Sequence, residues 1–376
     1  MRVLDLSRLL PGPYCSRILA DLGFEVIKVE RPGGGDWTRY VPPLDPESGE
    51  SLLFRALNLG KKSLTLSLKR YEGRAIFVRL AGTADVLLDS FRPGKMERLG
   101  LGYETLAQAN PRLVHCALSG YGPTGPYRNR AGHDLNYLGL SGLLDLTGPR
   151  QGPPAIPGTQ IADLTGALWA VIGILAALLE REQTGLGRRV DTSLFGGALS
   201  YLFLPITQHL GGQPVARGAN ELTGGLVCYN LYAAGDGGYM TLAALEPEFW
   251  TAFCQAVGRE DLVGQQLAPA IPGEPAYDQL CELFRSRTRQ EWAEALAGVD
   301  ACCEPVHSVA EALASSPVQA LEMLTREGLL PPLRFSHRPV GAAGPAPTLG
   351  QHTAALLAEM GYNAADLVRL QEAAVV

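Results

Sequence analysis

The first 120 residues alternate short apolar runs with stretches of helical period. Glu25-Val26-Ile27-Lys28-Val29-Glu30 repeats every second residue and stops at Pro32 and three glycines, which predicts a strand. Ser63–Leu68, Asp85–Asp89 and Leu113–Leu118 read the same way, and Tyr71–Ala81 and Tyr103–Gln108 between them read as helices. Strands that alternate with helices need long crossovers, and crossovers make a sheet parallel. The pattern predicts an open, Rossmann-like α/β sheet. A long apolar helix follows over Ala162–Gln183, then a strand start at Gly187–Asp191 and a helical stretch from Gly196 to Pro205.

Beyond residue 205 the pattern changes. Gly211-Gly212, Gly218 and Gly224-Gly225 mark a linker. Asn230–Ala234 and Tyr239–Ala244 flank Gly235-Asp236-Gly237-Gly238, which signals a hairpin. Helical patterns run over Glu248–Val257, Tyr277–Arg287 and Gln290–Leu296. A Pro/Gly-rich segment, 331–350, leads to a last helix over Thr353–Met360. The expected organisation is a large α/β domain from 1–205 and 326–376, with a linker and a smaller α+β domain in 206–325.

Composition narrows the function classes. The 376 residues suffice for two domains, and 46% apolar with 19% charged residues is ordinary for a soluble enzyme. A net charge of −6, from 32 basic and 38 acidic residues, argues against a nucleic-acid partner. The seven cysteines are odd in number and contain no Cys-x-x-Cys, so no metal site is expected and a reducing, cytoplasmic compartment fits. Arg2-Val3-Leu4-Asp5-Leu6 lacks the apolar core of a signal peptide, and the apolar run Ala167–Leu179 is too short to span a bilayer. No membrane partner is expected. Gly33-Gly34-Gly35 has the wrong spacing for the dinucleotide fingerprint Gly-x-Gly-x-x-Gly, which removes the main support for a dehydrogenase.

Two residues carry the candidate chemistry. His133 sits in Gly132-His133-Asp134-Leu135-Asn136-Tyr137 at an apparent helix start, and Asp163 opens the long apolar helix. Histidine titrates near neutrality, and a carboxyl group gains proton affinity when desolvated. Placed on opposite sides of one carbon, such a pair can take a proton from one face and return one to the other. Glu246, after the hairpin, suits a helix first turn or a carboxylate that orients a histidine. Arg31, Lys69, Arg92 and Arg98 follow successive strands, where a parallel sheet presents its ligand edge, and together they suggest a phosphorylated ligand.

The chain also resembles the family III CoA-transferase (CaiB/BaiF) superfamily along nearly its whole length. Pro11-Gly12-Pro13, Ala20-Asp21-Leu22-Gly23, Asn58-Leu59-Gly60-Lys61, Phe91-Arg92-Pro93-Gly94, Ser119-Gly120-Tyr121-Gly122-Pro123 and Leu349-Gly350-Gln351-His352-Thr353 carry the resemblance. Gly132–Tyr137, Gly218-Ala219-Asn220, Leu245–Phe249 and Asp300–Val306 are similar to the α-methylacyl-CoA racemases within it. Four residues before its aspartate the racemase pattern commonly has asparagine; this chain has Thr159.

The resemblance implies inversion at C2 of a 2-methyl-branched acyl-CoA through an enolate. His133 and Asp163 become the two bases and Glu246 the carboxylate supporting the histidine. Arg31, Leu66, Lys69, Ser90, Phe91, Arg92, Arg98, Gly132 and Tyr137 become the CoA contacts. CoA belongs to the substrate, and no other cofactor is implied. Backbone N–H groups at the start of the Asp163 helix would stabilise the enolate, at roughly 3–4 kcal/mol per donor. The resemblance further implies an interlocked homodimer with the site between the large domain of one subunit and the small domain of the other. The alternatives are a CoA-transferase with Asp163 as nucleophile and a CoA-binding protein without catalysis.

Overall fold

Both faces of the N-terminal strands are apolar because both are covered. Val3, Leu4, Val26, Ile27, Val86, Leu87, Leu88 and Val114 are all buried. They lie in β1 (Arg2–Asp5), β2 (Glu25–Glu30), β4 (Val86–Asp89) and β5 (Val114–Ser119), which β3 (Lys62–Thr65) and β6 (Arg189–Ser193) join. These strands form one sheet in the order β3-β2-β1-β4-β5-β6, and every pair is parallel. Val3 of β1 pairs with Val26 on one side and Val86 on the other. Strand order therefore reverses between β1 and β4, where a doubly wound sheet opens a crevice beyond its carboxyl ends. The computed structural model describes residues 1–341 and 344–376. Positions 342–343 of the Pro/Gly-rich segment lie outside the described residues.

β1 is not evident in the pattern, because four residues with two adjacent aliphatics show no period. The helix Pro11–Asp21 behind it is a second addition, opened by prolines in its first turn, where their missing N–H costs nothing. The single helix expected over Gly196–Pro205 is two, Leu194–Ser200 and Phe203–Leu210. Pro205 falls in the first turn of the second, so it marks a beginning and not an end. The helix Thr353–Glu359 is followed by another, Ala364–Glu372, capped by Asn363, so it is not the last.

The long helix runs over Ile161–Thr184 and lies against β5 and β6. Its sheet side is made of small and aliphatic residues, Ala162, Ala167, Ala170, Ile174 and Ala177, which let it approach closely. Leu168, Trp169, Ile172, Leu175 and Leu179 on the other side are exposed. The run Ala167–Leu179 is only its middle. The whole helix is long and apolar enough, by length and composition, to cross a membrane, and half of its most apolar window is buried in the fold.

The chain divides into two units. The first comprises 1–143, 158–201 and 321–376; the second comprises 144–157 and 202–320. The sequence pattern places 144–157 in the large domain, whereas its contacts place it in the second unit. There Gly218 abuts Arg150 so closely that a Cβ on Gly218 would stand 2.9 Å from the Arg150 nitrogen. The second unit holds an antiparallel sheet of β7 (Tyr229–Ala233), β8 (Tyr239–Ala243) and β9 (Cys303–Pro305). Tyr232 of that sheet stacks on Phe284 at 4.7 Å, in a core with Trp250, Phe253 and Trp292.

Candidate active site

His133 caps the helix Asp134–Ser141, and the Asn136 carboxamide accepts from its N–H at 3.0 Å. Tyr137, one turn on, donates its hydroxyl to the Gly132 carbonyl at 2.8 Å and stands edge-on to Tyr121 at 5.0 Å. These rings fill the space beside Gly132: a Cβ there would lie 2.8 Å from the Tyr137 ring and 2.9 Å from the Tyr121 hydroxyl. The backbone before His133 is thus closed against any larger residue.

Asp163 is the third residue of the long helix, half-buried at its N-terminal end. Its N–H donates to Oδ1 of Asp134 at 3.0 Å, which joins the starts of the two helices. Burial pushes the Asp163 carboxyl up to about 6; the Asp134 carboxylate adds to this, and His133 opposes it. Imidazole and carboxyl therefore lie within electrostatic reach of each other in the same unit, although thirty residues separate them in sequence. Burial, with the charges of Tyr121 and Asp163, raises the Tyr137 phenol to about 12, and Arg92 works against that rise. Not every N–H at the helix start is available for an enolate. That of Asp163 is committed to Asp134, and that of Leu164 to the Gln160 carbonyl. Those of Ile161 and Ala162 have no acceptor among the described residues.

At the β1–β4 reversal lies a cavity of about 430 Å³. Leu66 and Phe91 line it, as do Arg31 and Lys69 with two cations that the strand-end reading missed, Arg8 and Lys95. Among the described residues, none of these four cations is in an ion pair. The acids that share the cavity are already matched: Glu30 to Arg39 at 2.7 Å and Asp36 to Lys28 at 2.8 Å. The net field is positive, as a phosphorylated ligand requires. Arg8 follows β1, so reading Arg2–Asp5 as a strand was the signal needed to find it.

The Ser90–Arg92 turn is fixed from beneath. Oδ1 of Asp89 accepts from the Phe91 N–H at 2.9 Å, and its Oδ2 meets Nε2 of the buried His115 at 2.7 Å. The Ser90 hydroxyl accepts from the Arg8 N–H at 3.4 Å. Arg92 lines a smaller hollow beside the Asp89–His115 pair. Arg98 lines neither space; it is exposed on the short helix Lys95–Arg98. Glu246 belongs to the second unit, where it precedes Pro247 at the start of the helix Pro247–Ala256, and its side chain makes no capping hydrogen bond among the described residues. No group of three metal-ligating side chains gathers among the described residues.

Behind the cavity lies a network of buried charge. Lys61 donates to Ser16 at 2.7 Å, to Asn58 at 2.9 Å and to the Pro13 carbonyl at 3.0 Å, and it faces Asp5 at 3.5 Å. Burial alone would raise the Asp5 carboxyl. The ammonium groups of Lys28 and Lys61, with hydrogen bonds from Ser16 and Ser7, reverse that and hold it below its ordinary value.

The profile described as CoA-transferase family III matches residues 1–353. The chain is 36% identical to the α-methylacyl-CoA racemase of Mus musculus, over 100% of this chain and 96% of that protein. It is 32% identical to the succinyl-CoA:glutarate CoA-transferase of the same organism, over 96% of this chain and 85% of that protein. Among solved structures it superposes on a CaiB/BaiF family protein from Brucella suis with a TM-score of 0.82 and 32% identity, covering 96% of this chain and 98% of that one. With the parallel sheet and its cation-lined edge already in view, these matches establish that the chain belongs to CoA-transferase family III.

Proposed function

We propose that the chain is an isomerase that racemises 2-methyl-branched acyl-CoA thioesters at C2 by proton transfer between two bases. One observation carries this reading: an imidazole and a carboxyl of raised proton affinity stand at the starts of two helices joined by a 3.0 Å hydrogen bond. A histidine and a carboxyl of raised proton affinity in one site can act as the acid–base pair that exchange at a single carbon requires. His133 takes the C2 proton from one face, and Asp163 in its acid form returns one to the other; the reverse reaction exchanges the roles. The thioester carbonyl delocalises the carbanion as an enolate, and the Ile161 and Ala162 N–H groups are the donors for its oxygen. The cavity cations hold the CoA phosphates, and that remote binding energy places C2 between the bases.

The same reading includes a homodimer, in which Glu246 of the partner subunit orients His133. The exposed stripe from Leu168 to Leu179 supports a second copy, because an apolar face of that length is rarely left to water.

The likeness to a succinyl-CoA:glutarate CoA-transferase favours a second reading, in which Asp163 attacks the thioester and forms an acyl anhydride and then an enzyme–CoA thioester. Incubation of one acyl-CoA enantiomer in deuterated water separates the two. Racemisation places deuterium at C2 with no acceptor acid present. Absence of deuterium, with CoA exchange once an acceptor acid is added, would establish the transferase.

A further inference from the structure

We propose that Asp134 is a positioning residue that fixes Asp163 relative to His133 and sets its charge state, a role that rests on the two-base reading above. Asp134 directly follows His133 and begins its helix, yet its Oδ1 accepts the N–H of Asp163, 29 residues on in sequence, at 3.0 Å. One side chain therefore ties the backbone at one base to the backbone at the other. It also brings a negative charge to a half-buried carboxyl, since Asp134 takes part in no ion pair among the described residues. A like charge disfavours ionisation of its neighbour. That is the direction a general acid needs.

The surroundings leave Asp134 as the neighbour able to do this. Asp134 and His133 act on Asp163 directly, with Tyr137 on the same helix and Arg92 beyond it. The helix Leu194–Ser200 brings no ionisable group. Pro11–Asp21 brings Tyr14, Cys15 and an Arg17–Asp21 pair at 2.9 Å. β5 and β6 bring Cys116, His115 paired with Asp89, and Arg189 paired with Asp191.

Asp134→Asn keeps the acceptor oxygen and removes the charge; Asp134→Ala removes both. The carboxyl carbon of Asp163, assigned through Asp163→Asn, is titrated by ¹³C NMR in the full-length protein without substrate. Its midpoint is expected near 6 in the wild type. In Asp134→Asn it should fall by about one unit. The pH profile of kcat/KM should move in the same direction. Asp134→Ala should show that shift and also lose rate across the whole pH range. An unmoved NMR midpoint in Asp134→Asn overturns the charge role, and equal rates for the two variants overturn the positioning role. A wild type that puts no deuterium into C2 refutes the racemase reading instead, and the NMR midpoint still decides whether Asp134 acts on Asp163.

Discussion

Two sets of carboxylates in the same unit are treated in opposite ways. Asp5, Glu30 and Asp36 are buried behind the sheet edge, and all three are held below their ordinary range despite burial, because lysines, Arg39 and hydroxyl donors surround them. Asp163 is less deeply buried and yet is pushed up: desolvation raises it, its carboxylate neighbour adds to that rise, and His133 opposes it only in part. The first arrangement makes fixed charge that shapes loops. The second makes a group whose proton is exchangeable near neutral pH. Burial alone distinguishes neither; the sign of the neighbours does.

The strongest way to break the contrast is to remove a cation from the first set. Lys61→Met leaves Asp5 with one ammonium fewer in a dry site, and should cost about 3–5 kcal/mol of folding stability in chemical denaturation. A loss below about 1 kcal/mol would mean the network is less desolvated than its geometry indicates. The matching change in the second set acts on rate. His133→Ala should lower C2 exchange by about 10²–10⁴-fold with a small change in KM and in melting temperature. Near-normal exchange would remove His133 from the chemistry.

The smallest effect is the most diagnostic. Asp163 holds its proton more tightly in the fold, near 6, than in the unfolded chain, where the ordinary value is 3.8. Its contribution to stability is therefore fully present below the unfolded value and is lost as pH rises through about 6. At neutral pH the carboxylate is a net cost. Asp163→Asn should abolish exchange while stabilising the protein by about 1–2 kcal/mol at pH 7.5, after allowance for solvent screening. The gain should vanish as pH falls towards 4. An Asp163→Asn protein no more stable than wild type at pH 7.5 would place Asp163 with Asp5 and its neighbours, as structure and not chemistry.

Much of the sheet was legible in the chain, since β2, β4 and β5 announce themselves through Val, Ile and Leu, and β3 through the alternating leucines of Ser63–Leu68. β1 did not, because its burial depends on neighbours at both sides and not on length. The cation edge was legible in part: Arg31 and Lys69 follow recognisable strands and Arg8 follows the one that was missed, whereas beyond β4 the strand pointed to Arg98 and the cavity takes Lys95. His133 and Asp163 stood out by residue type, but Asp134 read only as a flanking acid. Its hydrogen bond closes a loop of thirty residues, and nothing in local spacing reports that. The excursion 144–157 was hidden for a related reason. Gly148, Gly152 and the prolines around them carry no period, so only contacts assign them to a unit.

Gly132 has a consequence for how this site would change over time. The rings of Tyr137 and Tyr121 leave room there for a hydrogen and nothing larger, so the imidazole is aimed while the chain folds and not when a thioester arrives. Altered acyl preference must then be acquired at walls remote from the histidine. Even an alanine at 132 would press on both rings and displace the backbone that carries His133.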